Sequence, residues 1–335
     1  MPCLFAGHLL FREENEDMTP RENYLAFFNN KEYEWIPMAG DVLTFRPEEL
    51  HDNVARGFVN QQNPFPADKF GGKGWFDVNW VYEVQAKGSI STGRILNDVS
   101  EWREKLVWPD LDKIDWEGIA KKNADYLKTD KIIQTTIFTG LFERLISLMD
   151  FSDAAMALVD PDAEDDVKAL FDKLADLYID YIRRMKKYFN VEFLELHDDW
   201  GNQRAAMMSL DTHTEMILPY IKKVVDACHE MGVVFFMHSC GNVTSLFPNF
   251  IEAGIDTWSG QEMGIKWPLV QQYGDKFIFA ITVQPPKGAT IEEVKEYTQK
   301  IFDQYKGYKV HYRAFASLMP KEHFDVINEM IKSLK

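Results

Sequence analysis

The stretch VVFFMHSCGN (233–242) carries an apolar run into His238 and Cys240, two residues apart. Alternate residues of an extended chain face the same way, so His238 and Cys240 share a face while Met237 and Ser239 take the other. Imidazole nitrogen and thiolate sulfur are both good zinc ligands, and a catalytic zinc keeps three protein ligands and an open position. This pair supplies two. A third has to come from another strand, and Glu195, His197, Asp199 and His311 are the candidates.

Two further stretches end in polar side chains in the same way. In VEFLELHDDW (191–200), Phe193, Glu195, His197 and Asp199 share one face, with Leu194 and Leu196 on the other. In YKVHYRAF (308–315), His311 and Arg313 share a face opposite Val310 and Tyr312. An unpaired buried charge is costly. Charges gathered at three strand ends must therefore satisfy one another or bind something.

The elements that would position these residues alternate regularly from about residue 130. The pattern predicts an extended segment over 131–138, a turn at Thr139-Gly140, and helices over 141–150 and 162–189. Strands follow at 191–198, 233–239, 255–259, 276–283 and 308–314. Helices are predicted at 212–231 (closed by Gly232), 290–306 and 320–334, with short ones before the strands at 255 and 276. Strands alternating with helices imply parallel pairing with right-handed crossovers. Five or more such units without a Gly-x-Gly-x-x-Gly turn favour a closed barrel, whose active site lies where the strands' carboxyl ends converge. Upstream, Thr19-Pro20-Arg21-Glu22 has the form of a capping box opening a helix. Residues 40–110 are aromatic and irregular, a front section with few regular elements. Its Phe65, Phe70, Trp75, Phe76, Trp80 and Tyr82 would either line a pocket for a flat apolar substrate or pack as core.

The chain has 335 residues and a formal net charge of −16, which repels a nucleic-acid backbone. Short basic clusters at Arg183-Arg184, Lys186-Lys187 and Lys222-Lys223 read as solvated helix faces. Three scattered cysteines (Cys3, Cys228, Cys240) are no disulfide framework and suit a reducing compartment. The N-terminal stretch lacks the basic region of a signal peptide, and no window is apolar enough for a membrane span. A cytoplasmic protein is expected.

The stretch Leu194 to Tyr273 resembles the uroporphyrinogen decarboxylase-like superfamily, especially its corrinoid-dependent methyltransferase branch. The resemblance is carried by HDDW (197–200), ILPYIKKVVDACHEMGV (217–233), MHSCGNV (237–243), IEAGID (251–256) and QQYGDKF (271–277), with the opening TPRENYLAFFNNKEYEWIP and Gly140-Leu141-Phe142-Glu143-Arg144 also similar. It implies an α/β fold, a single (β/α)8 TIM barrel over residues 1–335 with an elaborated N-terminal section. The Arg-Gln-Ala-Gly-Arg opening by which true uroporphyrinogen decarboxylases grip porphyrinogen carboxylates is not present. In thiol-dependent relatives zinc is held by a His-x-Cys pair and a later cysteine. The pair maps onto His238 and Cys240, but Arg313 occupies the later cysteine's place.

The departure suits the component that removes methyl from a donor. The resemblance then implies a zinc-dependent demethylase that passes methyl from a small methylated substrate, most simply an aromatic methyl ether, to the cobalt(I) of a corrinoid protein. Metal ligands would be His238, Cys240, Glu195 and Asp199. Asp198 would orient a ligand or move a proton, and His311 and Arg313 would stabilise the leaving oxygen or a substrate carboxylate. Homodimeric association is left open. The rival readings are a metal-free decarboxylase using acid–base chemistry, a cobamide:thiol methyltransferase, and a non-catalytic ligand-binding relative.

Overall fold

A computed structural model describes residues 17–85, 88–260, 266–316 and 318–334. The N-terminal stretch with Cys3 lies outside the described residues. Ten strands are present among them: β1 (Val42–Thr44), β2 (Gly72–Lys73), β3 (Asn79–Glu83), β4 (Gly88–Thr92), β5 (Ile132–Ile137), β6 (Val191–His197), β7 (Val234–His238), β8 (Thr257–Ser259), β9 (Ile278–Thr282) and β10 (Val310–Arg313). Seven form one sheet in the order β1-β5-β6-β7-β8-β9-β10, and every pairing in it is parallel. Helices occupy the crossovers, as parallel pairing requires.

The sheet curls on itself. Arg46, just past β1, and His311 and Arg313 on β10 line the same cavity as Gln134, Glu195 and Phe236 from the middle strands. The fold is thus TIM-barrel-like, as expected, with seven parallel strands among the described residues.

Side chains alternate as the sequence implied. Leu194, Leu196, Phe235 and Met237 are fully buried beneath the outer helices. They belong to the main core, to which the long helix Glu164–Phe189 contributes Leu170, Phe171, Leu174, Tyr178 and Ile182. A second apolar cluster fills the amino-terminal end of the cylinder: Tyr24, Phe27 and Phe28 against Ile132, Phe193, Val234, Phe236 and Ile278. The helix Pro20–Phe28 delivers it, opened by the expected capping box of Thr19 and Glu22. Its placement is fixed by Arg21 N–H donating to the Asp130 carbonyl at 2.9 Å, by ion pairing of Arg21 with Glu192, and by Lys309, whose ammonium reaches Asn30 at 2.7 Å. This helix closes the floor of the barrel.

Two differences from the sequence pattern have plain causes. The helix expected over 212–231 is two helices, Leu210–Met216 and Leu218–Glu230. The break falls at Ile217, just before Pro219, which lacks an N–H and crowds the preceding turn. The front section holds a small antiparallel sheet, β2-β3-β4. Of β3 only Trp80 is buried, so its apolar alternation is faint. The section docks through Asp52, which accepts from the fully buried Arg144 at 3.2 Å and from the Trp75 N–H at 2.8 Å.

Candidate metal centre

β6 and β7 run side by side with His197 opposite His238 and Glu195 opposite Phe236. This register puts Glu195, His197 and His238 on the inner surface at the carboxyl end of the barrel. The Glu195 carboxylate accepts hydrogen bonds from Gln134 Nε2 at 2.8 Å and Thr136 Oγ1 at 3.3 Å, both from β5. The His197 and His238 rings stack with centroids 3.7 Å apart and planes 11° from parallel.

Beyond the strands the two chains stay together. Asp198 N–H donates to the His238 carbonyl at 3.0 Å, and Asn242 N–H to the Asn202 carbonyl at 2.8 Å. Trp200 N–H donates to Ser239 Oγ at 2.9 Å. Glycine makes this approach possible. Gly241 has φ +76°, and a Cβ there would fall 2.3 Å from the Gly201 carbonyl carbon. Gly201 in turn lies so close that its own Cβ would meet Asn242 N and Cys240 O at 2.9 Å. The glycine of the HSCGN motif therefore serves a steric purpose: it lets Cys240 turn back over the end of β6.

The result is a compact donor cluster. Cys240 Sγ lies 3.2 Å from His238 Nε2. Asp199 Oδ1 accepts the Cys240 N–H at 2.7 Å and stands 3.9 Å from His238 Nε2. Two overlapping triads have ligand atoms within 4.8 Å of one another: Asp199–His238–Cys240 and Glu195–His197–His238. The first offers carboxylate oxygen, imidazole nitrogen and sulfur, a set that suits zinc. Burial lowers the pKa of His238 against the opposing carboxylates of Glu195 and Asp199, and burial with the neighbouring His238 holds His197 well below the usual histidine range. Both shifts favour the neutral imidazole that a metal ligand must be. Burial and then Asp199 push the Cys240 thiol up to about 12. Only a cation in direct contact would draw out its thiolate.

The other expected site residues divide. Arg313 lines the barrel cavity beneath the cluster, its guanidinium 5.0 Å from the Phe236 ring centroid and 4.8 Å from that of Phe315. His311 lies deeper, edge-on to Tyr24 and Phe28, and burial lowers its pKa to about 3. It is neutral and far down toward the floor, a poor position for stabilising an oxyanion near the cluster. Asp198, expected to orient a ligand or move a proton, is placed at the start of a helix. It points away from the cavity and accepts the N–H groups of Leu141, Phe142 and Glu143 at 2.9, 3.1 and 2.8 Å. Its carboxylate anchors the first turn of the helix Leu141–Leu148. Gly140 leaves room for it, since a Cβ there would lie 2.5 Å from the Asp198 Cβ. Nor does any of the six aromatics of the front section line the cavity. Phe76 and Trp80 are core, while Phe70 stacks on Phe65 and packs beside Tyr82.

Three residues were not expected in the site. Arg46 and Gln134 line the cavity; a three-residue strand such as β1 is too short to show periodicity. Glu143 follows the turn after β5, and its carboxyl is raised well above the usual range by burial and by Asp199. One of its oxygens is buried without a partner.

Residues 138–265 match the uroporphyrinogen decarboxylase (URO-D) family. No curated protein matches the chain. Among solved structures, a methyltransferase from Methanosarcina mazei shares the fold with a TM-score of 0.66 at 14% identity, covering 94% of this chain and 98% of its own. An intracellular xylanase from Thermoanaerobacterium saccharolyticum aligns with a TM-score of 0.39 at 12% identity over 66% of this chain and 83% of its own. A chitinase from Rhizomucor miehei aligns with 0.38 at 10% over 71% and 90%. With HSCGN at the carboxyl end of β7 inside the matched stretch, residues 138–265 are similar to the uroporphyrinogen decarboxylase family, and the parallel, curled sheet around them has the fold of the Methanosarcina mazei methyltransferase.

Proposed function

We propose that this protein is a zinc-dependent methyltransferase that passes a methyl group from a small methylated donor, an aromatic methyl ether, to the cobalt(I) of a separate corrinoid protein. The observation that carries the reading is the meeting of Asp199, His238 and Cys240 at the carboxyl end of a methyltransferase-like barrel. Bound there, zinc would supply Lewis acidity to the ether oxygen as the carbon–oxygen bond breaks.

The chain's own residues do the rest. Asp199, His238 and Cys240 would hold the ion, with Glu195 beside His238 as a further donor. His197 keeps the His238 ring in place by stacking. Glu143, its carboxyl raised well above the usual range by burial and by Asp199, serves as the proton donor for the departing oxygen. The barrel wall presents the methyl carbon toward the mouth, where the corrinoid protein docks, so positioning and electrostatic complementarity carry most of the catalysis. The metal-free reading would pair Arg313 with Glu195 or Asp199. Among the described residues, however, no carboxylate lies within 4.0 Å of Arg313.

The test is a methyl-transfer assay with a reduced corrinoid protein, run across phenyl methyl ethers, methylamines and thiols. Turnover with the ethers is expected, with its loss in His238→Ala. Turnover confined to thiols, or undiminished in His238→Ala, contradicts the proposal.

A further inference from the structure

The cavity beneath the donor cluster has a volume of about 230 Å³ and is walled by Tyr24, Phe193 and Phe236 along with the polar side chains of Arg46, Gln134, Glu195 and Arg313. Its charges do not balance. Two guanidiniums face one carboxylate, and among the described residues neither arginine lies within 4.0 Å of any acid. Arg46 is held by a neutral partner, with Nε and Nη2 donating to Asn60 Oδ1 at 3.1 and 2.6 Å and Nη1 3.5 Å from Thr136 Oγ1. The Arg313 guanidinium lies against the Phe236 and Phe315 rings, with Glu195 acting on it through space but beyond 4.0 Å. Glu195 is already bonded by Gln134 and Thr136. An amide oxygen or a ring face orients a guanidinium without neutralising it. One positive charge is left over inside the barrel, where an uncompensated charge is expensive.

We infer that the methyl donor is a monoanion whose carboxylate docks at Arg313 and Arg46, deep to the metal, with its ring against Phe236 and Phe193. The inference rests on the methyltransferase reading for what the ligand is, but the anion site stands on the cavity alone. A planar carboxylate fits a guanidinium fork with two parallel hydrogen bonds. A single negative charge cancels the excess, whereas a dianionic phosphate ester would reverse it. The Phe193 and Phe236 rings stack parallel, 4° apart in plane with centroids at 5.5 Å, and give the cavity an apolar side for an aromatic guest. Glu195 joins the two regions, lining the cavity while its carboxylate stands in the donor cluster. A benzoate held by the arginines would thus present its far substituent toward the metal centre.

Binding is measured by calorimetry on chelator-treated protein, with 4-methoxybenzoate and its neutral isostere 4-methoxybenzamide as probes. The benzoate should bind at least about tenfold more tightly. That preference should vanish in Arg313→Gln and shrink in Arg46→Gln, with Arg313→Lys retaining part of it. Equal binding of the two probes by the unaltered protein, no measurable binding of the benzoate, or a preference that survives Arg313→Gln overturns the inference. The readout needs no turnover, so the two proposals fail separately. A benzoate preference without methyl transfer leaves the anion site standing and removes the methyltransferase. Methyl transfer from neutral and acidic ethers alike does the reverse.

Discussion

The imidazoles of His197 and His238 lie face to face, 3.7 Å between ring centroids, at directly paired positions of adjacent parallel strands. Two cations could not share that geometry, so at most one of the rings carries a charge. The stacking also fixes the plane of His238, whose Nε2 faces Cys240. His197→Ala should therefore lower zinc affinity by about 10- to 100-fold, the usual effect of removing a group that orients a ligand. His197→Phe, which restores a flat ring, should recover most of it. Competition titration with a chromophoric chelator measures both. If Phe is as damaging as Ala, His197 binds the metal itself through the Glu195–His197–His238 triad.

Asp198 should matter to stability more than to metal. Asp198→Ala leaves three helix N–H groups without their acceptor, a loss of about 3 kcal/mol. Asn restores only part of it, because its amide nitrogen cannot accept. Urea unfolding checks the magnitude. Zinc content per folded molecule should stay near that of the unaltered protein.

Gly241→Ala would force a Cβ into the Gly201 backbone at a φ that L-residues avoid. The loop carrying Cys240 must then lift away from Asp199. The expected result is a protein that folds, shown by an unchanged far-ultraviolet spectrum, with zinc affinity reduced at least about tenfold.

Acid stability has a predicted sign. His311 is buried on the barrel floor with its pKa lowered to about 3, and burial does the same to His213. Between pH 6.5 and 3 the unfolded chain binds a proton at each site that the folded one does not, so stability is complete above 6.5 and drains as pH falls. Each site contributes a slope of about 1.4 kcal/mol per pH unit in that window. Replacing His311 by Phe should flatten the profile by one proton's worth. Urea unfolding at pH 7, 6 and 5 for both proteins measures the difference, and parallel profiles would contradict the assignment.

Much of this site is legible in the sequence because period two is a local property. Glu195, His197, His238 and Cys240 could be set on inner faces from alternation alone, and the capping box at Thr19 announces the helix that closes the floor. What alternation cannot give is the direction a chain takes after its strand ends. Asp198 and Asp199 are adjacent in sequence, yet one caps a helix and the other faces Cys240; the difference is made by Gly140 and by the Gly201–Gly241 contact, both tertiary. Arg46 was hidden for another reason. It follows a strand of three residues, and the front section that supplies Asn60 to hold it has no repeating pattern.

Zinc K-edge X-ray absorption on protein loaded with one equivalent of zinc tests the central claim most directly. A centre built from Cys240, His238 and Asp199 predicts one sulfur scatterer at about 2.3 Å and nitrogen and oxygen scatterers near 2.0–2.1 Å, with the sulfur shell lost in Cys240→Ser. A first shell of oxygen and nitrogen alone in the unaltered protein, or a sulfur shell that persists in Cys240→Ser, would contradict it.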